Sequence, residues 1–152
     1  MGFVFAYSFF AVVAVYIWFM PKRLTRQEIY TTWGLMAAIT VYTDMSFGLV
    51  LDLYDFGGPE VNFQDVPLQA LFAPSIAVVF LNYMPRKTSH FIGYLLVVVL
   101  ISLFIEWICT LTGYLVYKGW KMEYSAPFYL LGMIILRWHL HFLRRGLKPS
   151  IP

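Results

Sequence analysis

Asp44 and Glu106 are the residues of this sequence best placed to do chemistry, because each is a carboxylate set inside a long apolar run. A carboxylate in hydrocarbon costs about 2.5 kcal/mol or more on insertion scales, so such groups face protein or water and often mark an ion or proton pathway. In one run Ala37, Thr40, Asp44, Gly48 and Asp52 recur at three- and four-residue spacing, and in another Ser102, Glu106, Cys109, Thr110 and Gly113 do the same. That spacing gathers small and polar side chains on one face of each helix. At about 1.5 Å per residue the two carboxylates lie within roughly 5 Å of one another in height, somewhat outward of the midplane.

Arg137 is the candidate counter-ion, on one face of the last apolar run with His141 and Arg144, while His139 falls on a neighbouring face. It can pair with Glu106 or snorkel toward the headgroups. Two readings follow: a polar clasp that locks helices together, or a proton or ion site in which Asp44, Glu106 and Arg137 act, with Asp52 and Asp55 gathering cations at the mouth. His90 and either His139 or His141 share a depth and could bracket a haem. Histidines at a membrane boundary are ordinarily interfacial, and no cofactor is expected. No phosphate-binding Gly-rich loop, metal-type Cys/His spacing or Ser/His/Asp arrangement occurs, so no residue is assigned a catalytic role.

The elements that must position these groups are five apolar runs, Gly2–Met20, Ile29–Leu51, Leu68–Tyr83, Phe91–Tyr117 and Ala126–Leu143. Most approach the roughly 20 residues that a helix needs to cross a bilayer. The 152 residues are 61% hydrophobic and 12% charged with mean hydropathy +0.70, values outside the range of a soluble domain. The sequence therefore predicts an all-α integral membrane bundle of five helices in one transmembrane domain. The net charge of +3 reflects residues beside helix ends and gives no nucleic-acid face. Cys109, the only cysteine, cannot form an intrachain disulfide.

Lys22, Arg23 and Arg26, then Arg86 and Lys87, then Arg144, Arg145 and Lys148 fall on one side if every run crosses. The positive-inside rule makes that side cytoplasmic and the N-terminus external. The opposite connectors carry Asp52, Asp55, Glu60 and Asp65, and Lys118, Lys121 and Glu123. The uncharged Met1–Phe5 followed by Pro21-Lys22-Arg23 reads as a permanent helix and not a cleaved signal. The longest connector holds Gly57-Gly58-Pro59 and Pro67, which end one helix and begin the next. Tyr16, Trp18, Tyr30, Trp33, Tyr83, Tyr94 and Trp138 form an inner aromatic belt, and Tyr54, Tyr114, Tyr117, Trp120, Tyr124 and Tyr129 an outer one. Pro74, among Ala70, Ala73, Ser75 and Ala77, either packs helices closely or frees the Ala70 carbonyl toward a pathway.

Asp52-Leu53-Tyr54-Asp55, Glu106-Trp107 and Gly113 with Tyr117 and Trp120 resemble an uncharacterised family of small multi-pass membrane proteins from spore-forming Gram-positive bacteria. The resemblance implies a bacterial plasma membrane and directs attention to Asp52, Asp55 and Glu106. Two functions fit the sequence: a proton- or cation-linked transport or channel component, or a non-catalytic accessory or assembly subunit of a larger membrane complex. An odd number of spans cannot divide into two equal inverted halves, so a homo-oligomer or a membrane-protein partner is expected beside the lipid bilayer. Reporter fusions test the orientation: a cytoplasmic reporter should be active at the C-terminus and silent at Gly57-Gly58, and the reverse pattern would refute it.

Overall fold

The computed structural model of the protein describes residues 2–58 and 64–146. Glu60 and Lys148 lie outside the described residues. Within them run α1 (Gly2–Phe19), α2 (Arg26–Asp44), a π-helical turn (Met45–Val50), β1 (Tyr54–Phe56), α3 (Asp65–Tyr83), α4 (Thr88–Leu111), β2 (Leu115–Tyr117) and α5 (Met122–Gly146). Five helices are long and apolar enough to cross a membrane. Their outer faces expose Val12, Leu100, Phe104, Leu111 and Ile134, among many others, a surface that suits lipid and not water.

The helix ends differ from the sequence expectation for identifiable reasons. α2 starts at Arg26, ahead of the expected Ile29, because Thr25 and Glu28 form a capping box. The Thr25 hydroxyl accepts from the Glu28 N–H at 3.2 Å, and Glu28 Oε2 accepts from the Thr25 N–H at 2.8 Å. α4 was expected to run on to Tyr117 but stops at Leu111, because Gly113 takes a left-handed φ of 72°. The Gly113 N–H bonds to the Thr110 carbonyl and the Tyr114 N–H to the Cys109 carbonyl, the paired pattern of a Schellman cap. The residues beyond form β2, so the bundle carries a two-stranded antiparallel ribbon that the all-helical expectation did not include.

The ribbon pairs Tyr54 with Tyr117, Asp55 with Val116 and Phe56 with Leu115. Leu53 anchors its open end, its carbonyl accepting from the N–H groups of Lys118, Gly119 and Trp120 at 2.9 to 3.0 Å. Side chains alternate along a strand. Tyr54, Tyr117, Phe56 and Leu115 therefore share one face, and Asp55 and Val116 share the other.

α3 is the central helix, with 44% of its spanning window buried against 6–17% in the others. It packs on α1, α2 and α5, and α4 packs on α5. Pro74 is fully buried here, in the reading that packs helices closely, and the Ser75 hydroxyl donates to the Leu71 carbonyl at 2.6 Å in the same turn. The main core joins Met20, Leu24, Val78, Leu81, Phe91, Leu95, Leu136 and Leu140 at the end rich in Lys and Arg. At that end Asn82 accepts from the Arg23 N–H and donates to the Pro21 carbonyl, and Arg144 Nε meets Glu28 Oε1 at 2.7 Å. A smaller core of Ala6, Leu68, Cys109 and Tyr114 lies at the ribbon end.

Gly113→Ala forces a side chain into the left-handed region and should destabilise the protein by about 1–2 kcal/mol. Thermal unfolding in mild detergent measures this, and an unchanged melting temperature would refute the cap's role.

Candidate functional site

Glu106 stands on the last turns of α4, 7% exposed, and its carboxylate is bound from three directions. Oε1 accepts from the Tyr117 hydroxyl and from Ser125 Oγ, the latter at 2.6 Å, and Oε2 accepts from the Tyr129 hydroxyl at 2.8 Å. Ser125 and Tyr129 lie one turn apart on α5, so a single helix face supplies both. Tyr117 comes from β2, which the Schellman cap turns back over the end of α4. Trp120 Nε1 donates to Ser125 Oγ at 2.8 Å, leaving the serine hydrogen for Glu106. The Trp120 ring is held in turn by Phe47, Tyr54, Tyr124 and Phe128. A carboxylate has about four lone-pair positions. Among the described residues three are used, two on Oε1 and one on Oε2.

Asp44 ends α2, where Oδ1 accepts from the Tyr54 hydroxyl at 2.9 Å. Burial first, then the Asp44 charge, pushes the Tyr54 phenol up, and Glu106 adds to the same effect. Burial and the hydrogen bond to Glu106 likewise push the Tyr117 phenol up. Both ribbon tyrosines consequently keep their protons as donors well into the alkaline range. Because they face one another across the ribbon, one pair of strands brings a phenol to each carboxylate.

Beneath the ribbon a cavity of about 370 Å³ lies between α2, α3, α4 and α5. Asp44 and Glu106 are on its wall with Thr40, Thr43, Gln69 and Ser102, and the rest is largely apolar, including Phe72, Phe80, Phe128, Met133 and Leu136. Phe56 and Leu115 close it from the ribbon. The core around Val78, Leu81, Leu95 and Leu140 packs the other end of the bundle.

The two sequence-predicted carboxylates thus meet one chamber, whereas the other candidates lie elsewhere. Arg137 does not clasp Glu106: its guanidinium donates to Thr88 at 3.2 Å and sits 3.8 Å over the Phe91 ring, toward the Lys/Arg end of α4. The guanidinium is held at the start of α4, and the eight-residue step along α5 from Tyr129 to Arg137, about 12 Å of helix, accounts for its separation from Glu106. Asp52 and Asp55 stand on the far face of the ribbon, where Lys118 Nζ reaches them at 2.6 and 3.0 Å. His90 and His141 are exposed, His141 bonding to the Arg137 carbonyl through Nδ1, and none of the three histidines lines the chamber. Among the described residues no group of three His, Cys, Asp or Glu side chains is arranged to hold a metal.

Tyr54, Tyr117, Tyr129, Trp120 and Ser125 were not singled out from the sequence as site residues, the four aromatics having been read as outer belt. Ser125 and Tyr129 carry a signal, a four-residue spacing at the depth of Glu106. The ribbon tyrosines carry none until the Gly113 turn is recognised. Glu28, 3% exposed, was also missed, although the Thr25-Arg26-Gln27-Glu28 capping pattern marks it.

Comparison with family models, with curated proteins and with solved structures gives no match for this chain.

Tyr129→Phe removes a hydroxyl bond to a buried acid and should cost about 1.5–3 kcal/mol of stability. Glu106→Gln should cost less, because the amide keeps an acceptor and the hydroxyls can turn to accept its N–H. Combined with Arg137→Gln, its effect should add within about 0.5 kcal/mol, as for separate sites. Rescue of Glu106→Gln by the arginine change would refute the separation of the two residues.

Proposed function

We propose that the protein is a small transport component of a bacterial plasma membrane, in which Asp44 and Glu106 bind a proton or cation in the chamber beneath the ribbon. One observation carries this reading. Glu106 is more than nine-tenths buried on a cavity wall, and its partners among the described residues are neutral hydroxyls. Lys118 faces Asp52 and Asp55, Arg144 faces Glu28 and Arg137 faces Thr88, so none of these cations neutralises it. An intramembrane acid so placed is a site for an exchangeable positive charge. With the N-terminus external and the C-terminus cytoplasmic, the chamber lies toward the outside, and Asp52 and Asp55 flank its roof. The resemblance noted in the sequence is the support for a bacterial membrane.

The accessory-subunit reading draws support from a different observation. Among the described residues packed core fills the Lys/Arg end of the bundle, so one copy holds a chamber that ends at this core. Transport through this chain then requires a second conformation or a partner that completes the route.

Liposome flux separates the readings. Proton- or cation-dependent flux by the wild type should fall at least about ten-fold in Glu106→Gln and in Asp44→Asn, a loss of about 1.4 kcal/mol or more. Absence of flux from the wild type, with a fixed stoichiometric partner on native purification, would overturn transport and support the subunit.

A further inference from the structure

The chamber is far larger than a bare ion and its chemistry is divided. At about 370 Å³ it falls in the range of roughly 300–1,000 Å³ that holds small organic ligands. Its charged groups, Asp44 and Glu106, stand toward the ribbon with Gln69, the Thr40 and Ser102 hydroxyls lie one turn deeper, and the rest of the deeper wall is Phe72, Phe80, Met133 and Leu136. A hard inorganic cation asks for six or more oxygen ligands converging on one point. Here the Tyr117, Ser125 and Tyr129 hydroxyls aim their hydrogens at Glu106, the Thr40, Thr43 and Ser102 hydroxyls and the Gln69 amide are spread over α2, α3 and α4, and the rest of the wall is rings and aliphatic side chains. Aromatic faces beside a carboxylate suit an organic ammonium, which gains from both.

We infer that the chamber binds a lipophilic organic monocation, its charged head toward Asp44 and Glu106 and its apolar body between α3 and α5. The inference rests on the proposed intramembrane site and names its ligand class. The head meets Glu106 by charge attraction, which needs no N–H donor, so binding leaves the three hydroxyl bonds intact. Gly132 lies on the chamber wall, and a Cβ there meets nothing within 4 Å. A larger side chain at 132 consequently enters the chamber without a backbone clash, filling it while leaving every charge in place.

The test uses the purified full-length chain in a neutral detergent, titrated by calorimetry with phenylbutyltrimethylammonium and with its uncharged isostere in which carbon replaces nitrogen. The wild type should bind the cation saturably, one per chain, at least ten-fold tighter than the isostere. Glu106→Gln should abolish that preference while isostere binding is kept. Gly132→Leu should weaken both compounds at least ten-fold with the melting temperature preserved, which separates loss of space from loss of fold. Equal binding of the two compounds, no binding of either, or unchanged cation affinity in Gly132→Leu would overturn the inference. Glu106-dependent flux of protons, sodium or potassium without binding of the ammonium would overturn it while leaving the transport reading intact. Ammonium binding with no flux of any kind would keep the chamber's ligand class and overturn transport.

Discussion

A carboxylate inside a bilayer must bring its own solvent, and the ribbon end of this protein is built around that constraint. Water supplies donors to an exposed acid; hydrocarbon supplies none. Glu106 obtains its donors from three separate segments, β2, the first turns of α5 and, through Trp120, the linker between them. Insertion of one acid costs about 2.5–3.5 kcal/mol, and a hydrogen bond to a charged group returns about 1.5–3 kcal/mol. Three such bonds offset the cost, so the acid can be retained without a clasping cation. The ribbon follows from the same need: without the turn at Gly113, α4 would continue past Leu111 and carry Tyr117 away from Glu106.

The Lys/Arg end solves a similar problem by another route. Glu28 places one oxygen on the Thr25 N–H and the other on Arg144, so a single acid caps α2 and ties it to the end of α5. Arg144 is partly exposed, with 45% of its side chain accessible, and lies where headgroups and water lower the cost of the charge. Opposite charge is available there, and an ion pair forms. Deeper in the bundle it is not, and neutral hydroxyls take its place. The two buried glutamates therefore divide by chemistry: Glu28 is held by a backbone N–H and a cation, whereas Glu106 is held by neutral hydroxyls and lines a cavity.

Length and hydropathy were enough to read the five helices, because the bilayer sets a length that the sequence must match. The stripes carrying Asp44 and Glu106 were also legible, since a 3.6-residue period converts spacing directly into a face. Arg137 shows where such reading fails. Its type and approximate depth leave its partner open, and its contacts with Thr88 and Phe91 follow from how α4 packs on α5. The tyrosines failed for a different reason. An aromatic ring at the membrane boundary has the same sequence signature whether it anchors in headgroups or points a hydroxyl inward, and the difference lies in a β-turnback only a few residues long. Trp18, Tyr30 and Trp138 are strongly exposed, while Tyr54, Tyr117 and Tyr129 turn inward.

The location of the chamber follows from the same division. Apolar side chains can fill the Lys/Arg end because its polar groups finish their bonds at the helix ends, and Val78, Leu81, Leu95 and Leu140 are buried together there. At the ribbon end the phenols must stand off from the carboxylates at hydrogen-bonding distance, and Thr40, Thr43, Gln69 and Ser102 line the space below them. Packing Leu or Phe against Glu106 would remove the void, but it would place hydrocarbon on a carboxylate. A cavity beside a carboxylate held only by neutral hydroxyls among the described residues is thus the arrangement this donor set leaves, and it is also the arrangement that can receive a charged guest without dismantling its own bonds.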